Sequence, residues 1–135
     1  VTYAVRRSNA YFGLPLNTYY GIRNAANGLN NPFDGSVKFE KITSEQGLES
    51  VKPGSIVFFM PKENSQREPD PSGHTIFVEG VTVENGEIYI YYSETNIPRH
   101  PQGVIQKAKL KEISETYSEN GTYGKFNGAV RVKLD

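Results

Sequence analysis

Two histidines, fifteen acidic residues and no cysteine bound the chemistry open to this 135-residue chain. His74 follows Pro71-Ser72-Gly73 at the start of a strand-like run, whereas His100 lies between Pro98 and Pro101 in a stretch that reads as a solvated loop. Glu94 and Asn96 stand two residues apart, so alternation along an extended chain puts them on one face with Ile88, Ile90 and Tyr92. Asn85-Gly86 signals a two-residue hairpin turn. With that pair as the turn, Glu84 faces Glu87 and His74 falls opposite Ile97, one residue from Asn96. A histidine, a carboxylate and a carboxamide then meet at one edge of a sheet. Such a group suits proton transfer. An acceptor on one ring nitrogen fixes the tautomer, and the other nitrogen can take a proton from a nucleophile. Imidazole serves because its ordinary pKa of about 6.5 lies near working pH. The plainer reading of His74 is a polar strand end. One histidine, one carboxylate and one amide make a poor zinc site, so neither metal nor other cofactor is expected.

The elements that must position these residues change period along the chain. Val1 to Phe12 carries apolar residues at spacings of a helical face, and Gly13 and Pro15 stop it. A second helix is expected from Thr18, through Tyr19, Ile22, Ala25 and Ala26, to Leu29. Ser44 to Leu48 reads as one helical turn. From Val37 onward the signals are strand-like. Lys52-Pro53-Gly54 turns the chain into Ser55–Met60, an apolar run that reads as a buried strand. Lys62 to Gly73 is a polar loop beside His74, placed to form a rim or lid. His74–Val83 and Glu87–Tyr92 are the strands of the hairpin, and Val104–Leu110 and Ala129–Leu134 are further strands. Helices first and antiparallel strands afterwards predict an α+β domain spanning 1–135, with N-terminal helices packed on one side of a small curved antiparallel sheet. Balanced charge, 15 Lys+Arg against 15 Asp+Glu, argues against a nucleic-acid partner. No apolar run is long enough for a membrane span, and nothing at the start resembles a signal peptide.

Several segments together resemble a known family. Val51-Lys52-Pro53-Gly54-Ser55-Ile56-Val57-Phe58-Phe59, then Gly73-His74-Thr75-Ile76-Phe77-Val78-Glu79-Gly80, then Ser93-Glu94-Thr95-Asn96 look like the ordered motifs of CHAP domains. These are the cysteine, histidine-dependent amidohydrolases/peptidases of bacterial and phage cell-wall hydrolases. Tyr20-Gly21 with Asn24-Ala25, and Ala129-Val130-Arg131-Val132, look like the family's middle and closing segments. The resemblance implies a papain-like fold, His74 as general base, Glu94 as its orienting partner and Asn96 in support. Ser55 stands where the family usually has Asp after Pro-Gly.

The nucleophile departs further from the pattern. A CHAP helix typically opens on Cys, and this chain opens Val1-Thr2-Tyr3-Ala4-Val5. In one register the Cys stands immediately before Val1; in the other Val1 replaces it. The first matches more positions, with Tyr3 as the aromatic and Ala4 as the small residue. A thiol at a helix N-terminus near a histidine is expected to favour thiolate. Two functions follow. One is a peptidoglycan amidase or endopeptidase working by Cys-His acyl transfer, extracellular, at the cell wall or in a phage lytic protein. The other is a catalytically silent module that binds peptidoglycan or a protein partner. Tyr20 and Tyr92 are candidates to line a substrate groove, although strand tyrosines more often pack one face and wet the hydroxyl. Arg6-Arg7 reads as a solvated helix face, Ser8 as a packing detail, and Lys107, Lys109 and Lys111 as protection of a strand edge.

Overall fold

A computed structural model of the chain describes residues 2–14, 38–60, 74–94, 104–114 and 126–133. The expected second helix over Thr18–Leu29, with Tyr19 and Tyr20, lies outside the described residues, as do the loop Lys62–Gly73, Asn96 and His100.

Helix α1 spans Thr2–Phe12, within a residue of its expected start. Ala4, Ser8 and Asn9 are buried, and Val5 and Phe12 are half-buried. These positions recur at four-residue spacing and form one stripe of the helix. Ala10 and Tyr11, apolar in sequence, are exposed instead. The helix ends in a Schellman motif. Leu14 N–H donates to the Asn9 carbonyl at 2.8 Å and Gly13 N–H to the Ala10 carbonyl at 3.3 Å, which satisfies two of the last carbonyls.

Six strands follow among the described residues: β1 Phe39–Thr43, β2 Ile56–Phe59, β3 His74–Glu84, β4 Glu87–Ser93, β5 Gln106–Lys109 and β6 Phe126–Val132. They make one antiparallel sheet in the order β1-β6-β2-β3-β4-β5. A short 3-10 helix covers Leu48–Ser50, and helix α2, Leu110–Ser114, follows β5 directly. Lys111 therefore lies in α2 and not on the strand edge.

Strand β2 is buried at all four positions because it is apolar on both faces. Ile56 and Phe58 join Phe77, Val130 and Val132 on one face, where Ala4, Val5 and Phe12 of α1 pack. Val57 and Phe59 join Ile42, Ile76, Val78, Ile90, Tyr92 and Ala129 on the other, which Leu48, Val51 and Ile113 cover. Each of the fully buried Ile and Phe side chains contributes roughly 1.5–3 kcal/mol.

This two-sided covering corrects the expected architecture. The described residues are mainly one six-stranded antiparallel sheet, with one eleven-residue helix and one of five residues. They do not form a papain-like α+β arrangement with N-terminal helices on one side of a small curved sheet. The physical reason is the continuous apolar run of β2, which has to be buried from both sides. A single helical layer leaves half of it in water. Among the described residues no helix is long and apolar enough to cross a membrane.

Candidate active site

β3 begins at His74, and β4 ends at Ser93, one residue before Glu94. The turn between these strands is the expected one, with Asn85 at φ 53° and Gly86 at φ 78°. From it the pairing runs Glu84 with Glu87, Val83 with Ile88, Thr82 with Tyr89, Val81 with Ile90 and Gly80 with Tyr91. Continued unbroken, that register sets Phe77 opposite Glu94 and His74 opposite Ile97. His74 and Glu94 would then point to opposite faces of the sheet, because side chains alternate and cross-strand partners share a face.

A β-bulge intervenes. Glu79 has no β4 residue opposite it, Val78 faces Tyr92 and Phe77 faces Ser93. One extra residue on β3 reverses the parity of everything beyond it. This corrects the expected opposition of His74 and Ile97. His74 now shares the face of Ile76, Val78 and its β2 partner Phe59. Glu94 shares the face of Ile90 and Tyr92, which is the same one. The Nε2 of His74 lies 3.0 Å from Glu94 Oε2, with the residues 7% and 1% exposed.

The chemistry of the pair follows from what each group can do. A carboxylate only accepts hydrogen bonds, so the neutral ring places its proton on Nε2 and its basic lone pair on Nδ1. Burial of the carboxylate is costly without donors, and the imidazole N–H supplies one. When Nδ1 takes a proton, the resulting imidazolium sits against a carboxylate in a poorly hydrated site. That arrangement keeps the ring oriented.

The bulge itself is held from α1. Glu79 accepts from Arg7 Nε at 2.8 Å and from Arg7 Nη2 at 2.6 Å, a bidentate pair, and from Ser93 Oγ at 2.8 Å. The guanidinium lies 5.4 Å from the centre of the Phe77 ring and 5.8 Å from that of Tyr11. Its hydrogen bonds to Glu79 raise the Arg7 pKa further, against an opposing effect of burial. Arg7 is thus not part of a solvated face, whereas Arg6 is exposed. The types of Glu79 and Ser93 give no sign of this role, and Arg7 reads from sequence as solvated. A signal was present, since a charged residue followed by glycine inside an apolar strand marks a bulge.

The remaining candidates fall as follows. Asn96 and Tyr20 lie outside the described residues. Tyr92 is 4% exposed and packs in the core with Ile90 and Val78. The Ser8 hydroxyl is buried with no hydrogen-bond partner among the described residues. No group of three His, Cys, Asp or Glu side chains among the described residues is arranged to hold a metal ion. Helix α1 lies on the sheet face opposite His74 and Glu94. No protein-family model, curated protein or solved structure matches this chain.

Proposed function

We propose that this chain is the histidine-bearing part of a thiol-dependent amide hydrolase acting on peptidoglycan, as an amidase or endopeptidase. The observation that carries this reading is the buried His74–Glu94 pair at 3.0 Å; on this reading Nδ1 is the basic atom. The resemblance of the Gly73-His74 and Ser93-Glu94-Thr95-Asn96 segments to CHAP domains supplies the substrate class. On this reading the nucleophile is a cysteine immediately before Val1. Its thiolate attacks an amide carbonyl carbon, and the proton held at Nδ1 of His74 goes to the leaving amine as the C–N bond breaks. Water then attacks the thioester, His74 takes a proton from it, and the acid and the thiol are released.

The position of α1 favours a second reading. A thiol at the start of α1 must pass round the end of the sheet to reach a ring on the other face. A silent module that binds the wall, with His74–Glu94 as an internal polar lock, has no such requirement.

Incubation of the protein with purified peptidoglycan, with mass spectrometry of the soluble products, separates the two. The hydrolase releases fragments with new amino termini, forms one iodoacetamide adduct, and loses release in His74→Ala. Sedimentation with the wall, without release in any variant and without an adduct, overturns the hydrolase and leaves the binding module.

A further inference from the structure

We propose that Arg7 is a positioning residue for the His74–Glu94 pair, acting through the bulge at Glu79, a role that rests on the reading of His74 as general base. The hairpin turn alone dictates a register in which the two side chains lie on opposite faces of the sheet. The single unpaired residue at position 79 is what reverses that parity. Loss of the bulge restores the unbroken register, and everything from Val78 back to His74 then changes partner and face relative to β4. Here the holder comes from another element. Glu79 has a 7% exposed side chain, and its carboxylate is met by both Arg7 donors and by Ser93 Oγ. Ser93 pairs with Phe77 just past the bulge and directly precedes Glu94. The network therefore clamps the two strands at the step where their register changes. Without Arg7, a carboxylate is left in a poorly hydrated site with one hydroxyl donor. The strand escapes this by losing the bulge and taking the unbroken register, which separates His74 from Glu94.

The test reads the pair directly. Long-range proton–nitrogen spectra of histidine-labelled protein report the tautomer of His74, which His74→Ala distinguishes from His100. Interstrand contacts between Val78 and Tyr92 report the register. In the unaltered chain His74 is the Nε2–H tautomer. In Arg7→Gln that signal gives way to a mixture and the Val78–Tyr92 contact is lost, while unfolding stays cooperative. Wall hydrolysis falls on the order of 100-fold in kcat with KM unchanged, as for a misplaced catalytic group. Should Arg7→Gln not fold, Arg7→Lys is measured in the same way, since an ammonium cannot reproduce the bidentate fork. A folded variant with lower stability but an unchanged His74 tautomer and unchanged Val78–Tyr92 contact overturns the proposal, because Arg7 is then merely structural. If the unaltered chain releases nothing from the wall, the hydrolase reading falls, and the tautomer and register still decide the role of Arg7.

Discussion

At the scale of single residues, the arrangement turns on which nitrogen of one ring carries a proton. Glu94 fixes this because a carboxylate cannot donate. Glu94→Gln keeps the size and the buried contact, but its amide can donate to Nε2 and so favour the opposite tautomer. The basic lone pair then leaves Nδ1. If His74 is the general base of the proposed hydrolase, hydrolysis in Glu94→Gln falls by about 100- to 10,000-fold, the usual worth of a general base, with the protein still folded. Steady-state kinetics alongside circular dichroism checks both halves of that statement. Glu94→Ala differs, since it leaves the buried ring N–H without this acceptor. It is expected to cost about 1–3 kcal/mol of stability, read as a lower urea midpoint at unchanged slope. A surface carboxylate truncated in the same way changes stability far less, so Glu84→Ala serves as the comparison.

At the scale of elements, the site depends on how strands β2 and β3 and helix α1 hold Val78 beside the bulge. Gly54 N–H donates to the Val78 carbonyl at 2.7 Å, and Val78 N–H donates to the Ser55 carbonyl at 2.8 Å. Gly54 has φ 91°, and a Cβ there would stand 2.5 Å from Phe12 Cζ at the end of α1. Gly54→Ala therefore meets backbone strain and an aromatic ring together. It is expected to destabilise the fold by about 1–3 kcal/mol and to displace Phe12. Chemical denaturation and the ring signals of Phe12 test this; an unchanged midpoint would sink it. The elements themselves were largely legible. α1 followed from apolar spacing, β2 from its continuous run, and the hairpin from Asn85-Gly86, because each depends on neighbours in sequence. The bulge was not. Its holder, Arg7, is 72 residues from Glu79, and nothing local to either residue names the other. The α+β expectation failed for a related reason. Periodicity identified the helix and the strands but not which layers cover the two faces of β2, and that is decided by Leu48, Val51 and Ile113 from separate parts of the chain.

At the scale of the whole molecule, stability is graded from a dry centre to charged margins. β2 and β3 lie at the middle of the sheet, and β1 and β5 are its edges. An open edge strand invites pairing with another chain, and charged side chains discourage it. β5 follows this rule: Lys107 lies 3.0 Å from Glu84 and Lys109 3.0 Å from Glu87. The Lys107 ammonium also sits 4.7 Å and 5.5 Å from the ring centres of Tyr89 and Tyr91. Hydrogen bonds from Lys107 and Thr82 hold the Glu84 carboxyl below its ordinary value, and those from Lys107 to Glu84 and from Lys109 to Glu87 hold both amines above theirs. The signs are opposite. The carboxylate's contribution is complete above its ordinary value of 4.5 and is lost as pH falls through its lowered folded value. The lysine contributions are complete below 10.5 and are lost as pH rises through their raised folded values. These side chains are 41–55% exposed, so salt weakens the pairs across the whole range. Hydrogen-exchange protection of the β5 amides is therefore expected to drop as pH falls below the carboxylate's ordinary 4.5, and again in molar salt at neutral pH, while that of β2 holds. Equal loss of protection in β2 and β5 under either condition would show that the sheet opens as one unit and that its edge is not held by these pairs.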